Sequence, residues 1–141
     1  MKILIDTSAF YALEDSSDRH HLDARKLRDG LRDSRFRLFT TNLVLAESIT
    51  LIGMRLGSRH ATRFAELAYG SKRMRVIRLT EDLERASIER CARHADSTLS
   101  MTDASLIEIA ERHAVERVFA FDRHFVQYGR TPLSRGDFAA D

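Results

Sequence analysis

The sequence has little cysteine and proline, no tryptophan and no long apolar run. Its 141 residues contain one cysteine, Cys91, and one proline, Pro132. A single cysteine excludes an internal disulfide. No apolar stretch approaches the ~20 residues that cross a bilayer, and the apolar start of the chain reaches Asp6 too early for a signal peptide. We therefore expect a cytoplasmic protein without a disulfide framework.

Signs of a domain boundary are also missing. The sequence shows no internal repeat, no low-complexity stretch and no linker. A hydrophobic fraction of 43% is in the range of globular proteins, and the chain is long enough to bury a core of its own. We expect a single domain over residues 1–141.

Positive and negative charges nearly balance each other, and the formal net charge is +2. This excess is only a weak indication of an anionic partner. The basic residues are 20 arginines and 3 lysines. Arginine suits bidentate phosphate contacts, but arginine-rich usage also follows genomic base composition, so both explanations stay open.

Apolar runs and helical stripes alternate along the chain. Strands are predicted at residues 2–6, 36–40, 74–80 and 117–122. Helices are predicted at 20–32, 42–57, 59–70 and 102–114, and another begins at Thr80. The first has an apolar stripe of Leu22, Ala24, Leu27 and Leu31, and the second has Thr41 or Asn42 as its N-cap. Alternating strands and helices predict an α/β fold with a parallel sheet. In such sheets the functional groups gather at the carboxyl ends of the strands.

Four acidic residues are candidates for a functional site in this predicted fold. The stretches KILIDTSAF and RVFAFDRHF each end an apolar run in a carboxylate, at Asp6 and at Asp122, which should share one edge of the sheet. Glu47 and Asp103 have mainly apolar neighbours three and four residues away, which predicts positions in or beside core-facing helix surfaces. Charged groups are rarely buried without a partner, so a buried ion pair is the alternative for Glu47.

The other three acids also have local explanations. Asp6 and Asp122 each fit a turn residue that bonds the backbone through an Asx-type contact. Asp122 alternatively fits the cap of a short helix over 123–128. Asp103 fits the N3 position of a capping box whose N-cap is Ser100.

The joint pattern of acids is more specific than its members. Carboxylates that converge within a few Å cannot all stay ionised without a cation. An all-oxygen ligand set selects a hard ion such as Mg²⁺ or Mn²⁺, which favours metal-assisted hydrolysis of a phosphodiester. Phosphoryl transfer through an aspartyl-phosphate on Asp6 is disfavoured, because Ser8 occupies the place where such sites commonly carry a second aspartate.

Four stretches carry a resemblance to a known family. In order and spacing, ILIDTSAF, TTNLVLAE, DSTLSMTDASLIEIAERH and VFAFDRHF resemble the PIN domain, and more narrowly the VapC-type ribonuclease toxins of toxin–antitoxin pairs. The resemblance covers about residues 2 to 128. It implies a three-layer α/β/α fold with a mainly parallel sheet and an acidic site for Mg²⁺ or Mn²⁺.

The resemblance also implies roles for individual residues. The acids that would hold the metal and carry catalysis are Asp6, Glu47, Asp103 and Asp122. The polar residues that would support the site or orient the substrate are Thr7, Ser8, Asp96 and Ser100. All four acids are present, so the site is expected to be catalytically intact. The tail from residue 130 to residue 141 lies outside the resemblance.

The family further implies RNA cleavage, a small antitoxin that blocks the site, and frequently a homodimer. The helix pair over 42–70 is the candidate dimer surface. The alternative function is a non-catalytic RNA- or protein-binding module of the same fold. The four acids argue against that alternative, because a protein that only binds phosphates gains nothing from concentrated negative charge.

Basic and aromatic residues supply candidates for RNA contacts. The predicted phosphate contacts are Lys72, Arg73, Arg75 and Arg123. A charged edge strand explains the segment 71–78 equally well.

The aromatic residues fall into two groups. Phe10 and Tyr11 follow the first acid and are candidates to line the groove, whereas Phe119 and Phe121 alternate within a strand and are expected in the core. The six histidines, His20 among them, are expected at the surface or in packing rather than as metal ligands.

Overall fold

The computed structural model describes residues 1–94 and 98–139 of the chain. The strands are β1 (Lys2–Ile5), β2 (Arg37–Thr41), β3 (Met74–Ile77) and β4 (Arg117–Phe119). The helices are α1 (Thr7–Glu14), α2 (His21–Gly30), α3 (Asn42–Leu56), α4 (Ser58–Gly70), α5 (Glu81–Arg93), α6 (Met101–Arg112) and α7 (His124–Gln127), followed by a 3₁₀ turn at Arg135–Phe138. Within the described ranges, no helix is both long and apolar enough to cross a membrane.

The sheet has the order β3-β2-β1-β4, and every neighbouring pair is parallel. β1 lies between β2 and β4 and is almost continuously apolar, as a strand covered by helices on both faces must be. Since all four strands run the same way, their carboxyl ends form one edge. The predicted α/β/α architecture with a parallel sheet is confirmed.

Helix boundaries follow the predicted capping residues. Thr41 Oγ1 accepts a hydrogen bond from Val44 N (3.1 Å) and is the N-cap of α3, while Asn42 Oδ1 accepts from Leu79 N (2.9 Å). Gly57 ends α3 with a φ of +96°, a conformation that favours glycine. Thus Thr41, rather than Asn42, caps this helix.

Three predicted features differ in the structure. The segment after Asp6 forms α1, although no helix was expected there. β4 stops at Phe119 instead of residue 122, because Phe121 N donates to a serine side chain instead of a neighbouring strand. Leu22 is 68% exposed, since only Ala24 and Leu27 of α2 face the core.

The tail beyond the resemblance covers the outer edge of β4. Val118 N donates to Thr131 O (3.0 Å), and Leu133 N donates to Val118 O (2.8 Å). Arg117 Nε and Asp137 Oδ1 form a salt bridge of 2.8 Å farther along. The tail therefore satisfies backbone groups that an open sheet edge would expose.

Gly30→Ala is expected to loosen this tail. A Cβ on Gly30 would lie 2.7 Å from two ring carbons of Phe138, whose ring packs edge-on against Phe36. We expect a loss of about 1–3 kcal/mol in the free energy of unfolding, which denaturant titration would measure. Repeating the change in a Phe138→Ala background should remove most of that loss; an undiminished loss there would contradict the steric explanation.

Candidate active site

Asp6 is the first residue after β1 and lies at the carboxyl edge of the sheet. Only 4% of the residue is exposed. Its Oδ2 caps α1 by accepting hydrogen bonds from Ser8 N (3.1 Å) and Ser8 Oγ (2.8 Å), and its own backbone N donates to Phe119 O (3.0 Å). The backbone contact suggested for a turn residue is thus present. It holds the carboxylate where β1 meets α1.

The environment of Asp6 disfavours its ionised form. Burial, the largest cause, raises the pKa of the Asp6 carboxyl from its ordinary value of 3.8 to about 6. The hydrogen bond from the Ser8 side chain acts in the opposite direction, and the negative charge of Asp103 raises this pKa further. The structure therefore brings Asp6 and Asp103 within electrostatic range as a like-charged pair.

Asp103 reaches this position from the first turn of α6. Its backbone N donates to Ser100 Oγ (3.1 Å), so Ser100 is the N-cap of the helix and the first half of the predicted capping box is confirmed. The Asp103 side chain is half-buried. A carboxylate in the first turn also faces the positive end of the helix dipole.

Ser8 links the Asp6 carboxylate to the segment after β4. Its Oγ donates to Asp6 Oδ2 and accepts a hydrogen bond from Phe121 N (3.0 Å). Asp122 is exposed and lines the same pocket as Ser8. α7 begins at His124 with Arg123 at its N-cap position, so helix capping by Asp122 stays a prediction.

Glu47 is exposed on α3, so a position within the core-facing surface is wrong, whereas a position beside that surface fits, about 60° around the helix from Val44. The buried face of α3 consists of Val44, Leu45, Ser48 and Ile52. The side chain of Glu47 projects roughly 100° around the helix from that of Ser48, outside this face. The buried ion pair suggested as an alternative is also wrong, since Glu47 is exposed and forms no salt bridge within the described residues.

The predicted convergence of four acids is only partly present. Within residues 1–94 and 98–139, no three acids, histidines or cysteines lie close enough to hold an ion together. The two acids that interact electrostatically are Asp6 and Asp103, which we call the acidic or close pair. This pair still fits a hard divalent cation, because it supplies carboxylate oxygens and because a cation would offset the unfavourable burial of the Asp6 charge.

The predicted supporting residues have different outcomes. Ser8 and Ser100 each bond one acid of the pair, as described above. Thr7 is buried, and its Oγ1 lacks a hydrogen-bond partner among the described residues. Asp96 lies outside the described residues.

The predicted basic contacts separate by position. Arg123 is exposed and lines the pocket that contains Asp122. Lys72 precedes β3 and therefore lies at the amino edge of the sheet, opposite the edge that carries Asp6. Arg75 is exposed within β3, which is an edge strand.

The Arg73 side chain forms hydrogen bonds with the backbone of the protein. Its Nη2 donates to the backbone carbonyls of Leu31 and Asp33, each at 3.1 Å. These bonds tie the start of β3 to the turn after α2. An RNA contact by this residue stays a prediction, whereas the alternative of a charged edge strand fits the observed position.

The aromatic residues near the site are arranged differently from the expectation. Phe10 and Tyr11 are buried in the core, and neither lines the pocket that contains Ser8 and Asp122. Phe119 is buried as expected, whereas Phe121 is only half-buried and stacks on His20. No local signal in the sequence relates residues 20 and 121, because their contact depends on how the loop after α1 meets the end of β4.

Comparison with known proteins agrees with this architecture. A model of the PIN domain matches residues 3–131, and the chain therefore belongs to the PIN-domain family. The fold, and the acidic residues at the edge formed by the carboxyl ends of the strands, are consistent with that membership.

The relatives narrow the family to its VapC type. The chain is 32% identical over 127 residues to the 23S rRNA-specific endonuclease VapC20 of Mycobacterium tuberculosis, covering 90% of this chain and 94% of the relative. It is 28% identical over 127 residues to a VapC ribonuclease of Archaeoglobus fulgidus, covering 89% and 80%. The predicted resemblance to VapC-type PIN proteins is confirmed.

Solved structures give the same result. The crystal structure of Mycobacterium tuberculosis VapC20, described as a Sarcin-Ricin loop cleaving toxin, has a TM-score of 0.85 to this chain at 30% identity, covering 93% of this chain and 98% of that one. The structure of PAE2754 from Pyrobaculum aerophilum, at 21% identity and a TM-score of 0.55, covers 94% and 88% and shares the fold.

Proposed function

We propose that this protein is a divalent-metal-dependent endoribonuclease and the toxin of a toxin–antitoxin pair. The observation that carries the proposal is the buried Asp6 carboxylate, whose pKa is raised to about 6 mainly by burial and also by the charge of Asp103. Such a pair is unfavourable for a protein that only binds RNA, since negative charge repels phosphates. Perturbed carboxylates of this kind are typical of catalytic sites.

The cation is assigned to Asp6 and Asp103, with Asp122 and Glu47 completing the site directly or through water. When bound, Mg²⁺ or Mn²⁺ polarises the phosphoryl oxygen and favours attack by water on the phosphodiester. The oxygen-only character of these residues supports a hard ion.

The remaining residues of the site orient the acids. Ser8 directs both its N–H and its O–H to Oδ2 of Asp6, which fixes the plane of the carboxylate and leaves Oδ1 uncommitted to Ser8. Ser100 caps α6 and thereby sets the position of Asp103 in the first turn. Together these bonds hold two carboxylates in place against their mutual repulsion.

The substrate we propose is a structured loop of ribosomal RNA. The support is the VapC20 relative, which is named for 23S rRNA and, in its crystal structure, for the sarcin-ricin loop. The match extends over nearly the whole length of both chains, so the site and the surfaces around it are compared together. Such a substrate would place the protein in the cytoplasm.

The partners we propose are a small cognate antitoxin and a second copy of the chain. The family supports the antitoxin. For the dimer, the α3–α4 pair is the candidate surface, and it carries exposed apolar side chains at Met54 (80% exposed) and Leu67 (64% exposed).

The activity is tested by incubating purified protein, free of antitoxin, with total RNA and with a synthetic sarcin-ricin hairpin. Reactions contain Mg²⁺, Mn²⁺ or EDTA. Asp6→Asn and Asp103→Asn are compared with Glu66→Gln, which removes an exposed carboxylate on α4. We expect discrete cleavage by the wild type and Glu66→Gln, and none in EDTA or with the other two variants.

Other outcomes have separate meanings. RNA that is bound but never cut with either metal would favour the binding-module alternative. Cleavage that survives both Asp6→Asn and Asp103→Asn would indicate a contaminating nuclease and would leave the proposal without support. Cleavage of other RNAs but not the hairpin would reject only the ribosomal substrate.

A further inference from the structure

Two aromatic rings from distant parts of the chain stack beside the candidate active site. The His20 and Phe121 ring centroids are 4.5 Å apart, and the ring planes differ by 9°. Both residues are half-buried, so the pair is reachable from solvent. We call these two residues the stacked pair.

Hydrogen bonds fix both halves of the stacked pair. Asp18 Oδ1 accepts from His20 N (2.8 Å), and Arg19 Nε donates to His20 Nε2 (3.1 Å). On the other side, Phe121 N donates to Ser8 Oγ. The stacked pair is therefore held in one orientation before any ligand arrives, which reduces the entropic cost of binding.

The position of the stacked pair relates it to the reaction. Ser8 Oγ bonds both Phe121 N and Asp6 Oδ2, so two successive hydrogen bonds separate Phe121 from the buried carboxylate. The stacked pair lines a pocket of about 730 Å³ together with Ser8, two acidic residues and two arginines, which are Asp18, Asp122, Arg19 and Arg123. That volume is in the range of small-ligand sites.

The pocket also offers cations. Arg19 and Arg123 are exposed, and neither forms a salt bridge within the part of the chain that the structure describes. Only Nε of the Arg19 guanidinium bonds His20, so its two terminal nitrogens are available to contact a phosphate. Flat rings next to guanidinium groups match the alternation of bases and phosphates in an unpaired strand.

We infer that this pocket is a nucleotide subsite in which one unpaired base of the RNA stacks on the His20–Phe121 pair while Arg19 and Arg123 contact the flanking phosphates. The inference rests on the proposed function for its choice of RNA as ligand. It assigns to His20, Phe121 and Arg19 a role in selecting the nucleotide beside the cleaved bond. Stacking accepts every base, so the subsite selects an unpaired nucleotide rather than a particular sequence.

The first test measures binding rather than cleavage. Fluorescence anisotropy with a labelled sarcin-ricin hairpin in EDTA compares the wild type with His20→Ala and His20→Phe. His20 provides no side-chain cap to α2, so both variants should fold. Loss of the ring in His20→Ala should weaken binding by about tenfold, whereas His20→Phe keeps a stacking surface and should bind within about threefold of the wild type.

The second test measures phosphate contacts. For Arg19→Gln, the slope of the logarithm of affinity against the logarithm of salt concentration should fall by about 0.7–0.9, the effect of one lost phosphate contact. Arg25→Gln is the matched control, because it removes an exposed arginine of α2 outside the pocket, and its slope should equal that of the wild type.

A third test locates the base. Each loop nucleotide of the hairpin is replaced in turn by an abasic residue. At one position the wild type should lose about tenfold in affinity while His20→Ala loses little more, because both changes remove the same contact. Absence of any such position would refute the stacking role.

The remaining outcomes are decisive as well. The subsite would be overturned if His20→Ala and His20→Phe weakened RNA binding equally or if neither changed it. It would also be overturned if the wild type bound no RNA. Cleavage by the wild type is measured in parallel with Mg²⁺ and Mn²⁺. If the expected binding pattern appears without cleavage, the subsite is supported and the nuclease proposal fails. If His20→Ala binds and cleaves RNA as the wild type does, the nuclease proposal is supported and the subsite fails.

Discussion

Asp6→Asn is expected to abolish RNA cleavage while making the metal-free protein more stable. The carboxylate is the buried member of the acidic pair, so replacing it removes a charged oxygen ligand and should lower the cleavage rate by about a thousandfold. The amide keeps an oxygen that can accept the Ser8 hydrogen bonds. The same change removes a charge that burial disfavours, which accounts for the gain in stability.

The size of that gain depends on pH. The Asp6 carboxyl has a pKa of about 6 in the folded state against an ordinary value of 3.8. Below about pH 3 the group is protonated in both states and costs nothing. As pH rises from about 3 to 6 the unfolded state loses its proton first, so folding stability falls, and above pH 6 the full cost of up to about 3 kcal/mol remains.

Urea denaturation in EDTA at several pH values would measure this effect. The free energy of unfolding of Asp6→Asn should exceed that of the wild type at pH 7, and the difference should vanish near pH 3. Glu66→Gln is the control, since an exposed carboxylate should show no comparable difference. A variant less stable than the wild type at pH 7 would contradict the account of Asp6 as a destabilising buried charge.

Divalent cations are expected to stabilise the wild type strongly, and this stabilisation should depend on both acids of the pair. A ligand present at one hundred times its dissociation constant adds about 2.7 kcal/mol to the free energy of unfolding. For a chain of this length that gain raises Tm by roughly 5–10 °C. The physical reason is that a cation relieves the repulsion between Asp6 and Asp103 in the folded state only.

Thermal denaturation with increasing Mn²⁺ or Mg²⁺ would measure the effect without any RNA. Asp6→Asn and Asp103→Asn should each lose most of the metal-induced shift, while Glu66→Gln should keep it. Asp122→Asn and Glu47→Gln should keep a larger part of the shift, because both residues are exposed and outside the close pair. Equal shifts in the wild type and the Asp6 and Asp103 variants would rule out an ion bound by these residues.

Much of the fold is encoded in local patterns, which explains why the four strands and most of the helices were predicted in the correct order. β1 is a short apolar run, and Thr41, Thr80 and Ser100 cap the helices that follow them. α1 was missed because its N-cap is Asp6, and the same short polar stretch also fits a turn. Asp6 has both functions at once, since it caps the helix and forms the acidic pair.

The acids of the candidate site were proposed from their positions at strand ends and on helices, and the structure differs from the environments expected for two of them. The apolar neighbours of Glu47 predicted burial, whereas the buried face of α3 is centred elsewhere and leaves Glu47 exposed. Asp122 was placed in a strand, yet β4 ends three residues earlier. In both cases the error comes from treating local apolar character as a measure of tertiary contact.

The sequence by itself determined the parallel α/β architecture and the family, because periodicity, capping residues and motif spacing are properties of the chain alone. Only the tertiary structure decided that Asp6 and Asp103 form the close pair, that Ser8 joins Asp6 to the end of β4, and that His20 stacks on Phe121. These contacts join residues about 100 positions apart. Their distances are set by how helices pack on the sheet, and no short stretch of sequence carries that information.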